Sequence, residues 1–218
     1  MNLVNELQSS AEQDDVLTVL RKTKRLASKL DRQDISDWLH CEQSGYKNKN
    51  VSLPDYRKIN TTLAINTNGY IPTSFGMVVN GIQDIPSCGL DLPCNLGDSI
   101  SAVLSMIEEI KNEKQMYRPI EEGTEFSRSL REFIKIDPMF SRQVTFLLHL
   151  NAAQVKAIPD QIKDKVLEWA CALEVAGVTG EGMSFSEKEK HTAHNVNFNI
   201  FDSHIEQLNN SGTNQRGG

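Results

Sequence analysis

The chain has 218 residues, 39% of them hydrophobic, and a net charge of −6. That length suits one large domain or one domain with appendages, since domains commonly run about 50–250 residues. The negative charge excludes broad, sequence-independent attraction to nucleic acid, leaving only local basic patches, and no apolar run reaches the roughly 18–20 residues of a membrane helix.

Met1-Asn2-Leu3-Val4-Asn5-Glu6 carries no basic region followed by an apolar core, so no secretory leader is read and a cytoplasmic protein is expected. Residues 2–13 and 15–30 read as two helices forming a hairpin. In the second, Val16, Leu20, Leu26, Ala27 and Leu30 make an apolar stripe, and Arg21, Lys22, Lys24, Arg25 and Lys29 fill the other face. Asp31 and Asp34 punctuate, Ile35–Gln43 reads as a third helix holding Trp38 and Leu39, and Gly45 ends it.

Residues 50–90 change character. Ile59, Thr61, Leu63 and Ile65 alternate with polar neighbours, the period of a half-buried strand, and Phe75–Val79 is a second candidate. Pro54, Pro72, Pro86 and Pro93 cut the region into short pieces, which predicts a small antiparallel sheet or hairpin. Cys88 and Cys94 stand six apart, too wide for one half of a zinc ribbon. Together with Cys41 and Cys171 they read as free thiols of a reducing compartment.

The helical period returns at Asp98. Asp98 or Ser99 can cap a helix with Ile100, Val103, Leu104, Ile107 and Ile110 on one face, and Thr124 can cap another with Phe126, Leu130, Phe133 and Ile134. The apolar run Ser141–Asn151 fits a strand or a helix. Pro159-Asp160 is expected to open a helix with Ile162, Val166, Trp169, Ala170 and Leu173 inward. Gly177 suits that helix's C-terminus, and Gly180 and Gly182 extend a glycine-rich turn. Ser186 with Glu189, or Ser184 with Glu187, has the capping-box spacing for a last short helix over 186–195. Asn195–Phe201 then alternates polar and apolar residues like a strand with one apolar face, and the tail beyond 205 reads as disordered.

Several of these pieces stand together in one order. They are Leu20–Leu30; Trp38 with Glu42-Gln43-Ser44-Gly45-Tyr46; Leu53-Pro54-Asp55-Tyr56-Arg57; Ile71-Pro72; Trp169-Ala170-Cys171-Ala172-Leu173-Glu174; and Gly177–Ser186. In that order they resemble the AbiTii family of bacterial abortive-infection proteins, over roughly residues 1–195. The resemblance implies a role in limiting phage propagation in an infected cell. It brings no catalytic residue with it. Trp38, Tyr46 and Tyr56 are read as core and rim aromatics, because aromatics supply large burial, and Asp55-Tyr56-Arg57 as a strand start with paired charges.

Arg142 and His149 are seven apart. On a helix they would share a face after two turns, which resembles the Arg-x(4–6)-His motif of HEPN ribonucleases, with His149 as general acid or base and Arg142 stabilising phosphorane charge. The other reading is a surface Arg and a half-buried His. His191 and His194, three apart, share a helix face, but no further ligand completes a zinc set nearby. The cations Arg21, Lys22, Lys24, Arg25 and Lys29 could meet RNA phosphates or an acidic partner, or form a solvated face bracketed by Asp14, Asp15, Asp31 and Asp34. No P-loop, nucleophile elbow or HExxH signature is present, and neither a cofactor nor a metal is expected.

The expectation is therefore an α+β fold, helix-dominated, with an N-terminal helical hairpin and C-terminal helices around a small antiparallel sheet. Its organisation is a domain over 1–195 (helices 2–43, strand-rich 50–90, helices 98–177) and a strand-like segment and polar tail over 196–218. The leading function is anti-phage abortive infection, as sensor or effector through protein–protein assembly. The partners expected are a second copy, with residues 193–206 taking part, or a phage or defence-system protein. A HEPN-like, metal-independent ribonuclease and a non-catalytic partner-binding module are the alternatives.

Overall fold

The computed structural model describes residues 2–46, 52–72, 78–85, 92–113, 115–137 and 139–198. Helices α1 (Leu3–Gln13), α2 (Val16–Lys29) and α3 (Gln33–Ser44) follow the apolar periodicity closely. The Asn2 side chain accepts from the Asn5 N–H at 2.8 Å and caps α1, while Asp15 accepts from Leu17 and Thr18 and caps α2. Asp31 ends the α2 turn at a positive φ of 56°, and the Arg32 N–H returns to the Ala27 carbonyl. That is the Schellman pattern built on Asp, one of the few residue types that tolerate it.

The hub is α6 (Ala152–Val175), which packs against α1, α2 and α4 (Ile100–Glu113). Val155, Ile158, Ile162, Val166, Trp169 and Leu173 recur at three and four residues and are fully buried or nearly so. This helix starts earlier than Pro159 suggests. Asn151 caps it by accepting from Ala153 and Gln154, and Pro159 lies inside. An interior proline forfeits one helical hydrogen bond at a cost of about 3 kcal/mol. The apolar stripe running past it on both sides offsets that cost.

The sheet is antiparallel, in the order β2 (Val78–Asp84), β1 (Lys58–Pro72), β5 (Val144–Leu150), β4 (Tyr117–Pro119), with β3 (Pro93–Asn95) paired to the start of β1. The ambiguous run 141–151 is thus a strand, paired from Thr61↔Leu150 to Thr67↔Val144. Two strands therefore interrupt the helices expected over 98–177. The small sheet expected within residues 50–90 depends on a partner some eighty residues later, as the pairing numbers show. Of the strand expected over Phe75–Val79, β2 begins at Val78, and 75–77 lie outside the described residues.

One sheet face presents Leu63, Ile65 and Phe146 to a core shared with Leu130 and Ile134 of α5 (Glu125–Ile134). Thr124 caps α5, accepting from the Ser127 N–H. On the opposite face Thr62, His149 and Tyr117 lie side by side across three strands. The larger core joins α1–α4 and α6 to Tyr56, Ile59 and Leu150 at one end of the sheet.

After α7 (Glu187–His194) the chain does not form a strand over residues 195–198. Val196 and Phe198 pack onto the larger core, and the Phe198 ring stands 4.9 Å from Trp38 and 5.8 Å from Trp169, edge-on to both. Arg32, 5% exposed, donates to the Ala193 and Val196 carbonyls at 2.5 and 2.7 Å. These residues belong to the domain rather than to an appendage starting at 196. The remainder of the strand-like segment and the tail, 199–218, lie outside the described residues.

Candidate functional site

The residues that carry the family-like pattern converge on two places. The first is an internal polar network. Glu42 on α3 and Arg57 at the entry to β1 are both 0% exposed and form a direct ion pair through Oε2 and the guanidinium. The other carboxylate oxygen of Glu42 accepts from the hydroxyls of Tyr46 at 2.6 Å and Tyr56 at 2.7 Å. Trp38 Nε1 donates to the Tyr56 hydroxyl at 2.9 Å, and Arg57 donates to the Asp98 carbonyl at 2.9 Å. Burial, and then the Glu42 charge, push both tyrosine hydroxyls well above their ordinary range, so they act only as neutral donors to the carboxylate. Gly45 closes α3 with φ +88°, and a Cβ there would meet the Gly97 carbonyl at 2.9 Å. The network therefore fixes α3, the start of the sheet and the approach to α4 against one another. Trp38 and Tyr56 are core aromatics as expected, at 4% and 6% exposure.

The second place is the turn between α6 and α7. Gly177 ends α6 at φ +78°, with the Val178 N–H on the Leu173 carbonyl and the Gly177 N–H on that of Glu174. The capping box forms at Ser186 and Glu189, not at Ser184 and Glu187. Glu189 does more than cap its own helix: one oxygen accepts from the Thr179 and Gly180 N–H groups at 3.1 and 3.0 Å. The Thr179 and Gly180 carbonyls in turn accept from Val4 and Leu3, satisfying the first turn of α1. The burial of Glu189 opposes its ionisation, but the backbone N–H groups of Gly180, Ser186 and Thr179 and the Ser186 hydroxyl outweigh it. They bring the carboxyl from 4.5 down to about 2.

A depressed carboxyl pKa gives stability that is present above the unfolded value and lost as pH falls towards the folded one. For Glu189 that window runs from 4.5 down to about 2. Asp14, Asp15 and Asp34 are also lowered, chiefly by side-chain hydrogen bonds from Ser10, Thr18 and Arg32, so the difference between variants is the informative quantity. Urea midpoints are expected to fall more steeply below about pH 4.5 for the wild type than for Glu189→Gln. Parallel curves would remove Glu189 from the acid response.

The residues singled out for chemistry are not brought together. Arg142 is exposed in the 3-10 turn Ser141–Gln143, and His149 lies near the far end of β5. The helix that would stack them is absent. Along a strand at about 3.3 Å per residue they stand roughly 20 Å apart. His149 has a different partner: its Nδ1 lies 3.0 and 2.9 Å from the two oxygens of Asp84. Asp84 stands 65 positions away in the sequence, and no short-range pattern announced it.

On α2, Arg21, Lys24 and Arg25 are exposed. Lys22 pairs with Asp14 at 2.9 Å, and Lys29 donates to the Met183 carbonyl at 2.6 Å. Two of the five cations thus have intramolecular work. Lys22, Arg25 and Lys29 line a niche against Leu3, Glu6 and Leu7 of α1. His191 and His194 are exposed on α7, and the described residues hold no cluster of three or more metal-ligating side chains. Cys41, Cys94 and Cys171 are unpaired, and Cys88 lies outside the described residues. No helix among those residues is long and apolar enough to cross a membrane.

What this geometry defines is a helix-dominated α+β protein whose most distinctive charged and aromatic side chains face one another in the interior. The AbiTii family model matches residues 2–198, and the chain belongs to that family. Membership points to phage resistance by abortive infection. No curated protein and no solved structure matches the chain.

Proposed function

We propose that this AbiTii protein acts inside the infected cell by assembling with a second copy or with a phage or defence-system protein, as sensor or effector. The observation that supports this reading is the saturation of the family-pattern residues by one another. Glu42 is bound by Arg57, Tyr46 and Tyr56, and Glu189 by Thr179, Gly180 and Ser186. Groups spent on internal bonds shape a surface rather than react at it. The basic face of α2 (Arg21, Lys24 and Arg25) offers a contact area for an acidic partner, and RNA remains within its chemistry.

Infection at low and high phage multiplicity tests the reading. Cultures expressing the protein are expected to survive at low multiplicity and to arrest at high multiplicity. Full survival at high multiplicity would contradict abortive action. Arg142→Ala is expected to keep protection, because Arg142 is exposed and far from His149. Its loss in a stably folded Arg142→Ala protein would favour the ribonuclease reading, with the two residues supplied by different protomers.

A further inference from the structure

On the sheet face opposite Leu63 and Phe146, the strand ends hold a polar arrangement centred on His149. The imidazole of His149 is fixed from two sides. Asp84, at the end of β2, reaches diagonally over β1 and takes the Nδ1 hydrogen with both oxygens in range, and the Tyr117 ring lies against the imidazole at 4.7 Å, tilted by 34°. A carboxylate at Nδ1 selects the tautomer that carries its hydrogen there, which leaves the Nε2 lone pair as an acceptor in the neutral ring. Among the described residues nothing bonds Nε2, and the His149 side chain is 22% exposed.

The ring borders an open cleft of about 320 Å³ lined by Asn60, Thr61, Thr62, Leu150 and Asn151. Thr62 stands directly opposite His149 in the β1–β5 register, is exposed, and its hydroxyl has no partner among the described residues. Asn151 spends its oxygen capping α6, so its amide hydrogens are left over. Thr61 donates to the Leu92 carbonyl and is committed. The cleft is thus lined by polar groups that can donate and accept, the His149 imidazole, the Thr62 hydroxyl and the Asn60 and Asn151 carboxamides. Asp84, bonded to His149, brings a negative charge beside the ring, which disfavours phosphate and other anions there.

We propose that this cleft binds an uncharged, hydroxyl-bearing ligand of sugar or nucleoside size, with His149 Nε2 accepting a ligand hydroxyl hydrogen and Asp84 as the positioning residue. The inference stands apart from the assembly reading above, and either can fail without the other.

Two-bond ¹H–¹⁵N spectra of the full chain test both halves. The neutral His149 ring is expected in the Nδ1–H form, and Asp84→Asn is expected to erode that preference, a signature that a merely structural carboxylate would not move. Titration with uridine and, separately, with base-free methyl riboside is expected to shift the His149 Nε2 resonance saturably in the millimolar range. A response to both assigns the sugar edge as the determinant. A response to uridine alone adds the base. Thr62→Val, on the exposed face, is expected to weaken the response several-fold with an unchanged melting temperature. No saturable shift with either probe, or a response unaltered in both Thr62→Val and Asp84→Asn, overturns the proposal.

Discussion

Arg57→Met is expected to destabilise the protein by about 3–5 kcal/mol, the cost of stranding one member of a buried ion pair. Glu42 would keep its two tyrosine donors but lose the guanidinium that neutralises it, at a position with no exposure to water. Burying an unpaired carboxylate costs several kcal/mol. The Asp98 carbonyl would lose its donor as well. The double variant Glu42→Met/Arg57→Met is expected to lose less than the sum of the two single changes, because neither charge is left behind. Urea midpoints at neutral pH measure all three. Additive losses would show that the pair is not coupled.

Gly180→Val is the second large effect, and its contrast with Gly177→Val carries the argument. Both glycines have positive φ, +71° and +78°. A branched side chain in that region costs about 1–2 kcal/mol from the backbone alone, so Gly177→Val, whose added Cβ meets nothing within 4 Å, is expected to lose that much. At Gly180 the added Cβ would stand 2.6 and 2.8 Å from Phe185 ring carbons and 3.1 Å from Leu3 Cβ. Overpacking of that kind adds about 1–3 kcal/mol, for a total of about 2–5 kcal/mol. Thermal or urea unfolding of the two variants side by side decides the point. Equal losses would mean that the turn is free to move away from α1.

The sequence was most informative where structure is local. The apolar stripes of α1–α4, the Thr124 cap and the Ser186–Glu189 box are set by residues three and four apart, and they stand where periodicity puts them. Legibility failed where a distant partner decides. Val144–Leu150 is too short for its period to separate strand from helix, and only the register with Thr61–Thr67 makes it a strand. Pro159 looked like a helix start because a proline is cheapest there, yet Asn151 had already nucleated α6. The alternating residues after Asn195 suggested a strand, but Val196 packs onto the larger core and Phe198 stands edge-on to Trp38 and Trp169. Glu42, Arg57 and Gly177–Ser186 were visible as a family pattern, but their roles were not, since Glu42 pairs with Arg57 across fifteen positions and from one element to another. The Arg142–His149 spacing had meaning only on a helix, and Asp84 could not be linked to His149 without the sheet.

The clasp of α1 by the Thr179–Gly180 carbonyls, and of Arg32 by those of Ala193 and Val196, ties the first helices to the last. During translation, α1 to α3 can pack on one another but would leave the ribosome with the parts of their apolar faces that meet later elements uncovered. Their cover, α6 and the segments after it, follows only after more than a hundred further residues. At about 5–20 residues per second that interval lasts several seconds to some tens of seconds. A chain truncated before Thr179 would lack both ties, so the bonds that hold the first helices to the C-terminal segment form only once synthesis has passed Val196.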